Sequence, residues 1–166
     1  MRLLRARLSM PALQAATLAA ALTLTATAGH AQSGPFAGFD GSWAGTGTVA
    51  LSDGTKERIR CRASYRVQSG GQELHQSLRC ASDSYKFDLT SNVVSQGSAI
   101  SGTWSESSRN INGNLQGRAG GGQIDVFVEA AGFAASLTLV TRGNKQSVSI
   151  SSKGEIQGVN ISMSRS

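Results

Sequence analysis

Beyond residue 31 the chain is a series of short segments in which apolar and polar residues alternate, and glycine, asparagine or aspartate marks nearly every turn between them. A period of two places successive side chains on opposite faces of a β-strand. No window of useful length shows helical spacing, and Val, Ile, Thr and Ser dominate where a helix favours Ala, Leu and Glu. The pattern predicts an all-β fold with ten strands, over residues 42–52, 55–67, 72–82, 85–95, 98–106, 111–119, 123–131, 133–142, 145–152 and 155–165.

Residues 1–31 differ in composition from the rest of the chain. Three arginines within the first seven residues precede an apolar stretch that runs to about Ala28, and small residues follow it. These are the marks of a secretory signal peptide. A glutamine and several threonines interrupt the stretch, so it is poorly suited to spanning a bilayer. We predict a signal peptide over 1–31, cleaved after Ala28 or Ala31, and no transmembrane segment in the mature form.

The mature part, about 135 residues, has the length of one domain. We predict a short flexible lead-in over 32–40 and a single domain over 41–166. Loss of the leader removes three of the 16 basic residues and none of the ten acidic ones, which leaves 13 against ten and a net charge of +3. This small excess, together with few aromatic residues for stacking on bases, argues against a nucleic-acid partner.

The second segment shows the alternation most clearly. Its apolar positions are Ile59, Cys61, Ala63, Tyr65 and Val67. Its basic positions are Lys56, Arg58, Arg60, Arg62 and Arg66. One face of this strand is therefore suited to burial, and the other is strongly basic.

Turn positions predict which residues face each other across each hairpin. A second hairpin centred on Gly70 and Gly71 sets Cys61 opposite Cys80, close enough for a disulfide. Two cysteines in an exported chain also favour one disulfide. A two-residue loop makes this a hydrogen-bonded pair, whereas a four-residue loop over 69–72 gives the same partners at closer spacing.

Other turns are predicted at Asp83–Ser84, Gln96–Gly97 and Gly143–Asn144, with a three-residue loop at 52–54 and a bulge at 157–158. The turn at Gln96–Gly97 sets Leu89 opposite Trp104. All these turns keep the apolar sides of neighbouring strands on one face, which a one-residue slip would destroy. A long antiparallel meander leaves edges that aggregate unless it closes. We therefore predict an up-and-down meander that closes into a barrel.

The first strand opens with Gly41, Ser42 and Trp43. This triplet resembles the Gly-x-Trp opening of lipocalin-like and fatty-acid-binding (calycin) barrels. The resemblance implies a calycin-like barrel with a basic side chain from a late strand packed on the tryptophan, for which Arg165 is the candidate. Calycin barrels also carry a helical lid or flank, and this sequence contains no segment that fits one.

Longer phrases, at 51–54, 59–62, 78–85 and 100–104, resemble a group of exported proteins of α-proteobacteria. The resemblance implies a periplasmic or secreted location. It implies no mechanism.

Few residues in the mature chain are suited to catalysis or metal binding. His75 is its only histidine, and no serine lies in a nucleophile-elbow context. One histidine and two paired cysteines do not make a zinc site, and the acidic residues lack the spacing of a calcium loop. We expect no catalytic residue, no metal site, no cofactor and a structurally idle His75.

The basic face of the second segment is the sharpest functional lead. Its cations, Lys56, Arg58, Arg60, Arg62 and Arg66, project from one strand face with ~6.6 Å between every second residue, and Arg79 should neighbour them across the hairpin. Two interpretations stay open, an anion-binding surface and an ordinary solvated face.

Three classes of function follow from these observations. We expect an exported, non-enzymatic protein that binds an apolar or amphiphilic small molecule inside the barrel, or an anionic small molecule or envelope component through the arginines. The alternative is an envelope protein-interaction or inhibitor module with a filled core and no ligand cavity. A hydrolase or isomerase would need a pocket with converging titratable groups, for which we find few candidates.

Overall fold

The computed structural model describes residues 33–166, so the predicted signal peptide lies outside the described residues. Ten strands follow one another along the chain: β1 Gly41–Leu51, β2 Lys56–Gln68, β3 Glu73–Ala81, β4 Lys86–Gln96, β5 Ala99–Glu106, β6 Ile111–Gly120, β7 Gln123–Ala130, β8 Phe133–Arg142, β9 Lys145–Ser152 and β10 Ile156–Arg165. Each strand pairs antiparallel with its chain neighbours, and β1 pairs with β10 to close the barrel. The predicted all-β barrel is confirmed, and every predicted strand end is correct to within one residue.

Helical structure is almost absent from the described part of the chain. Its one helical element is a single 3₁₀ turn at Ser69–Gly71, between β2 and β3. Among residues 33–166, no helix has the length and apolar character needed to cross a membrane.

The hairpin of β2 and β3 has the predicted register. Cys61 faces Cys80 with their Cα atoms 4.1 Å apart, and the two sulfurs form a disulfide. Pairing stops at Gln68 and Glu73, so the loop has four residues. The Cα separation belongs to the closer type of antiparallel pair, as the four-residue loop requires.

Reduction of this disulfide is expected to lower the free energy of unfolding by about 3 kcal/mol, because the bond closes a 19-residue stretch and restricts the unfolded chain. Urea unfolding of the oxidised and the dithiothreitol-treated protein measures the difference. Equal midpoints for the two forms would show that the bond contributes nothing to stability.

Two other irregularities were placed correctly. In the β1–β2 loop, the Leu51 amide donates to the Thr55 carbonyl at 2.9 Å, and Gly54 has a φ of 85°, as a three-residue loop with a left-handed glycine requires. At the start of β10, Ala50 faces Gly158 but Leu51 faces Ile156, which leaves Gln157 as the extra residue of a bulge.

The predicted turn between β4 and β5 was wrong by one position. Leu89 faces Glu106, and Trp104 faces Ser91, so the two loop residues are Gly97 and Ser98 rather than Gln96 and Gly97. Gly97 has a φ of 64°, which glycine adopts without strain at the first position of a type II′ hairpin loop. The register moves by two residues, so every side chain keeps its face.

Residues 33–40, most of the predicted flexible lead-in, pack across one end of the barrel. Phe36 and Phe39 are fully buried, and the Gly34 and Phe36 amides donate to the carbonyls of Gly70 and Gly71. These two core residues were not predictable from the alternation pattern, because they lie in turns. We call residues 33–40 the plug and this end of the barrel the closed end.

The first tryptophan and the last strand hold the plug in place. The Trp43 Nε1 group donates to the Phe39 carbonyl at 3.0 Å. The Arg165 guanidinium lies 4.3 Å from the centroid of the Trp43 ring, and it donates to the carbonyls of Gly38, at 2.9 Å, and Asp40. Arg165 therefore occupies the position that the resemblance to calycin barrels implied.

Candidate functional site: an open mouth and a basic face

Burial of the barrel interior changes from one end to the other. At the closed end the inward side chains, such as Tyr65, Leu74 and Met163, are buried. At the opposite end, which we call the open mouth, some inward side chains such as Val49 and Ile59 are buried, but eleven inward apolar side chains are only half-buried. The mouth set comprises Leu51, Leu78, Phe87, Leu89, Ile111, Val128, Ala130, Phe133, Leu137, Ile150 and Ile156.

Chain direction explains why this set collects at one end. Each of its members lies in the second half of an odd-numbered strand or in the first half of an even-numbered strand. In an up-and-down barrel all these positions meet at the same rim. The plug covers the other rim. The rest of residues 33–166 consists of the ten strands and the short turns that join them, so this range contains no equivalent cover for the mouth.

Aromatic side chains form part of the mouth. The Tyr85 and Phe87 rings stack with centroids 6.4 Å apart, and the Arg109 guanidinium lies 4.9 Å from the Phe87 centroid. The Phe133 ring packs edge-on against Trp104 at 5.8 Å. The mouth therefore offers flat apolar surface next to a cation.

Polar groups are concentrated at the rim of the mouth. The Tyr85 hydroxyl donates to Glu155 Oε1 at 3.1 Å, and this hydrogen bond raises the pKa of the Tyr85 phenol. The Ser82 hydroxyl donates to Glu57 Oε2 at 2.7 Å. Glu57 projects from the same side of its strand as the apolar residues, and its place at the strand end explains how a carboxylate is tolerated there.

Glu106 is a buried carboxylate near the mouth, and its role is structural. It accepts hydrogen bonds from the amides of Asp88, Ser108 and Arg109 at 2.9, 3.1 and 2.7 Å. Burial alone would raise the pKa of Glu106, but these donors outweigh burial and the pKa is lowered. The ionised side chain thus caps the β5–β6 turn and is poorly suited to donate a proton.

Polar groups deeper in the barrel are also satisfied. The Tyr65 hydroxyl donates to Gln146 Oε1 at 3.0 Å, and Gln146 Nε2 donates to the Thr141 hydroxyl at 3.0 Å. Burial raises the pKa of Tyr65, so the phenol is neutral. In residues 33–166 no buried side-chain nitrogen or oxygen lacks a hydrogen-bond partner.

The predicted cations lie together on the outer surface of β2 and β3. Lys56, Arg58, Arg60, Arg62, Arg66 and Arg79 are all exposed, and we call them the basic face. Arg62 lies directly opposite Arg79, whose Nε forms a salt bridge to Asp88 at 3.2 Å. Over the described range, none of the other five cations forms a salt bridge. That the basic face binds an anion stays a prediction.

His75 lies beside this face, opposite Arg66. Its Nδ1 is 2.6 Å from the Asn92 side-chain oxygen, and the ring is exposed. In the part of the chain that the structure describes, no three His, Cys, Asp or Glu side chains are grouped closely enough to hold a metal ion.

Comparison with known proteins finds similar structures but no similar sequence. No protein-family model matches the chain, and no curated protein matches it. Rv2717c from M. tuberculosis is similar in structure, with a TM-score of 0.62 and 15% identity over 80% of this chain and 93% of that one. The S-type phycobiliprotein lyase CpeS from Guillardia theta has a TM-score of 0.53 and 10% identity over 76% and 88%.

Identities this low bear on the fold alone. The two neighbours share the barrel fold seen here, which fits the predicted calycin-like barrel. The resemblance to exported proteins of α-proteobacteria stays a prediction. By its fold the chain is therefore a ten-stranded, closed, calycin-like barrel.

Proposed function

We propose that this chain is an exported, non-enzymatic binding protein that holds the apolar part of a small amphiphilic molecule in the open mouth. The observation that carries the proposal is the mouth set, eleven inward apolar side chains that the fold leaves half-buried at one end. Export is supported by the predicted signal peptide and by the disulfide, a bond typical of oxidising compartments.

The free energy of apolar burial supports a ligand at the mouth. Each Å² of apolar surface removed from water contributes roughly 25 cal/mol. At the closed end the plug provides this burial, with Phe36 and Phe39 fully covered. At the mouth a ligand would provide it, and concave apolar sites with a few polar groups are typical small-molecule sites.

The polar rim suggests an amphiphile rather than a plain hydrocarbon. Tyr85, Arg109 and Glu155 are placed to meet the polar part of a molecule whose apolar part fills the mouth. Arg109 in particular combines a positive charge with contact to the Phe87 ring. An acidic head group would suit it best.

Substitution of Leu89 by glutamine tests the site. Leu89 is a half-buried member of the mouth set on β4. Loss of about 1.5 kcal/mol of apolar contact should weaken binding of a fluorescent fatty-acid analogue about tenfold. Fluorescence titration measures the affinity, and thermal unfolding verifies that the variant is folded.

The matched control is Val94→Gln on the same strand. Val94 projects outward and is 49% exposed, so its replacement should leave the affinity unchanged. Equal affinities for the two variants would place the probe outside the mouth and contradict the proposal.

Native mass spectrometry of protein purified from its own host then identifies the ligand. A retained small molecule that is recovered chemically unchanged is the expected result. One structural neighbour is named a lyase, so conversion of the retained molecule deserves an assay, and conversion would contradict a non-enzymatic role. Absence of both a retained molecule and probe binding would favour the interaction-module alternative.

A further inference from the structure

A shallow trough runs along the outer surface of β1, beside the basic face. The side chains that project outward from β1 are small, among them Ala44, Thr46 and Thr48. Thr46 lies between Arg60 of β2 and Ser162 of β10, and Thr48 lies between Arg58 and Asn160. The trough therefore has Lys56, Glu57 and Arg58 on one side, neutral amide and hydroxyl groups on the other, and threonine hydroxyls along its floor. The Glu57 carboxylate is held by the Ser82 hydroxyl at 2.7 Å.

Positive charge is concentrated on this side of the barrel. Six of the 13 lysines and arginines beyond residue 31 lie on the basic face. Within residues 33–166, the one acidic side chain that forms a salt bridge with them is Asp88, which pairs with Arg79. Arg62 directly opposite Arg79 is a like-charge pair, an arrangement that destabilises a sheet. A bound anion would relieve this repulsion.

The shape of the cation array indicates a linear polymer. From Lys56 to Arg62 the basic side chains of β2 follow a single strand at ~6.6 Å intervals. Guanidinium groups bind carboxylate, sulfate and phosphate groups through paired hydrogen bonds. The hydroxyl and amide groups of Thr46, Thr48, Asn160 and Ser162 can bind sugar hydroxyls in the same trough.

Two other kinds of anionic partner, a membrane and a single-stranded nucleic acid, fit this surface less well. A membrane-binding surface combines cations with exposed apolar side chains. In residues 33–166 the exposed large apolar side chains are Val94 and Phe127, which lie on β4 and β7, away from the trough. Single-stranded nucleic acids stack on aromatic rings, and no aromatic side chain projects outward from the described parts of β1, β2 or β10.

We infer that the basic face and the trough together bind a linear acidic polysaccharide. The polymer chain lies along β1, its acidic groups contact Arg58, Arg60 and Arg62, and its hydroxyl groups contact the trough. This site is on the outside of the barrel and is independent of ligand binding at the mouth.

Binding of heparin and of polygalacturonate to the chain without its predicted signal peptide tests the inference. Fluorescence anisotropy at near-physiological salt is the measurement, since exposed charges are largely screened there beyond about 8 Å. The Arg58→Gln/Arg60→Gln variant should bind at least about tenfold more weakly than the unmodified protein, because charge-assisted hydrogen bonds to two guanidinium groups are lost.

The matched control is the Arg118→Gln/Arg142→Gln variant, which loses the same charge on β6 and β8. It should bind within about twofold of the unmodified protein, since exposed charges far from the polymer are screened. Equal weakening by the two variants would indicate a response to net charge alone and would overturn the inference. Thermal unfolding of both variants verifies that they are folded.

A second variant tests the trough itself. Thr46→Val/Thr48→Val keeps the shape of the side chains and removes two hydroxyls, and about threefold weaker binding is expected from the lost hydrogen bonds. Unchanged affinity would overturn the placement of the polymer in the trough.

Competition experiments distinguish the polymer classes. Polygalacturonate should displace labelled heparin, whereas oligo(dT) and phosphatidylglycerol vesicles at equal charge should displace it less effectively. Stronger displacement by either of these two competitors would overturn the assignment to a polysaccharide. If the mouth variant Leu89→Gln lost probe binding but kept its affinity for heparin, the two sites would be independent, as inferred.

Discussion

Replacement of Gly45 by alanine is expected to lower the free energy of unfolding by about 3 kcal/mol. Gly45 projects inward on β1, opposite Met163 of β10, in the strand pair that closes the barrel. A β-carbon there would meet the carbonyl oxygen of Ser162 and lie 2.7 Å from the Cα of Met163. Both are backbone atoms, so relief requires β1 and β10 to move apart.

This expected loss of stability is opposite to the usual effect of a Gly→Ala replacement. Gly45 is not in the left-handed region, where alanine is strained. At such a position Gly→Ala typically stabilises a protein by about 0.4–1 kcal/mol, because it restricts the unfolded chain. Close approach of β10 therefore decides the outcome.

Gly120→Ala is the matched control. Gly120 also has no left-handed φ, and no atom lies within 4 Å of a β-carbon built on it. Its replacement should leave stability unchanged or raise it by up to about 1 kcal/mol. Urea unfolding of the two variants gives the comparison, and equal stabilities would show that the approach of β10 does not limit the residue at position 45.

Replacement of Trp43 by alanine is expected to lower the free energy of unfolding by about 4 kcal/mol. The ring is buried, contacts the Arg165 guanidinium and donates its Nε1 hydrogen to the Phe39 carbonyl. Its loss leaves a cavity at the closed end and removes a hydrogen bond that holds the plug. We therefore expect faster amide exchange in residues 33–40 as well as lower stability.

Trp104→Ala separates these two consequences. Trp104 is also buried, but it packs against Phe133 and donates to the Asn114 carbonyl, far along the chain from the plug. Its replacement should cost a similar amount of stability and leave exchange in the plug slow under native conditions. Equal acceleration of exchange in the two variants would contradict the role assigned to Trp43.

The strands and their faces were predictable because the signals are local. Alternation along a strand and a glycine at a turn lie within a few residues of each other, and the facing of Cys61 and Cys80 follows from counting outward from one loop. The same counting placed the β4–β5 turn one position too early. That error left every face correct, because it moved the register by two residues. Alternation shows which residues face inward, but it does not show which inward residue of one strand lies opposite which inward residue of the next.

The basic face was predictable for the same reason. Its β2 members are the alternate residues between apolar positions that must face inward, so they had to project outward. Its pairing with a trough was not predictable, because the small residues of β1 and the polar residues of β10 meet only through the closure of the barrel.

The sequence by itself determined the strands, their inward and outward faces and the position of the disulfide, since all of these depend on a period of two and on nearby turns. Only the tertiary structure decided which end of the barrel is open. Apolar residues alternate in the same way at both ends of every strand, and the ends differ because residues 33–40 fold over one of them, with Phe36 and Phe39 buried beneath Trp43 and Arg165. Such long-range burial leaves no periodic mark along the chain, so the location of the mouth could be read only from the folded molecule.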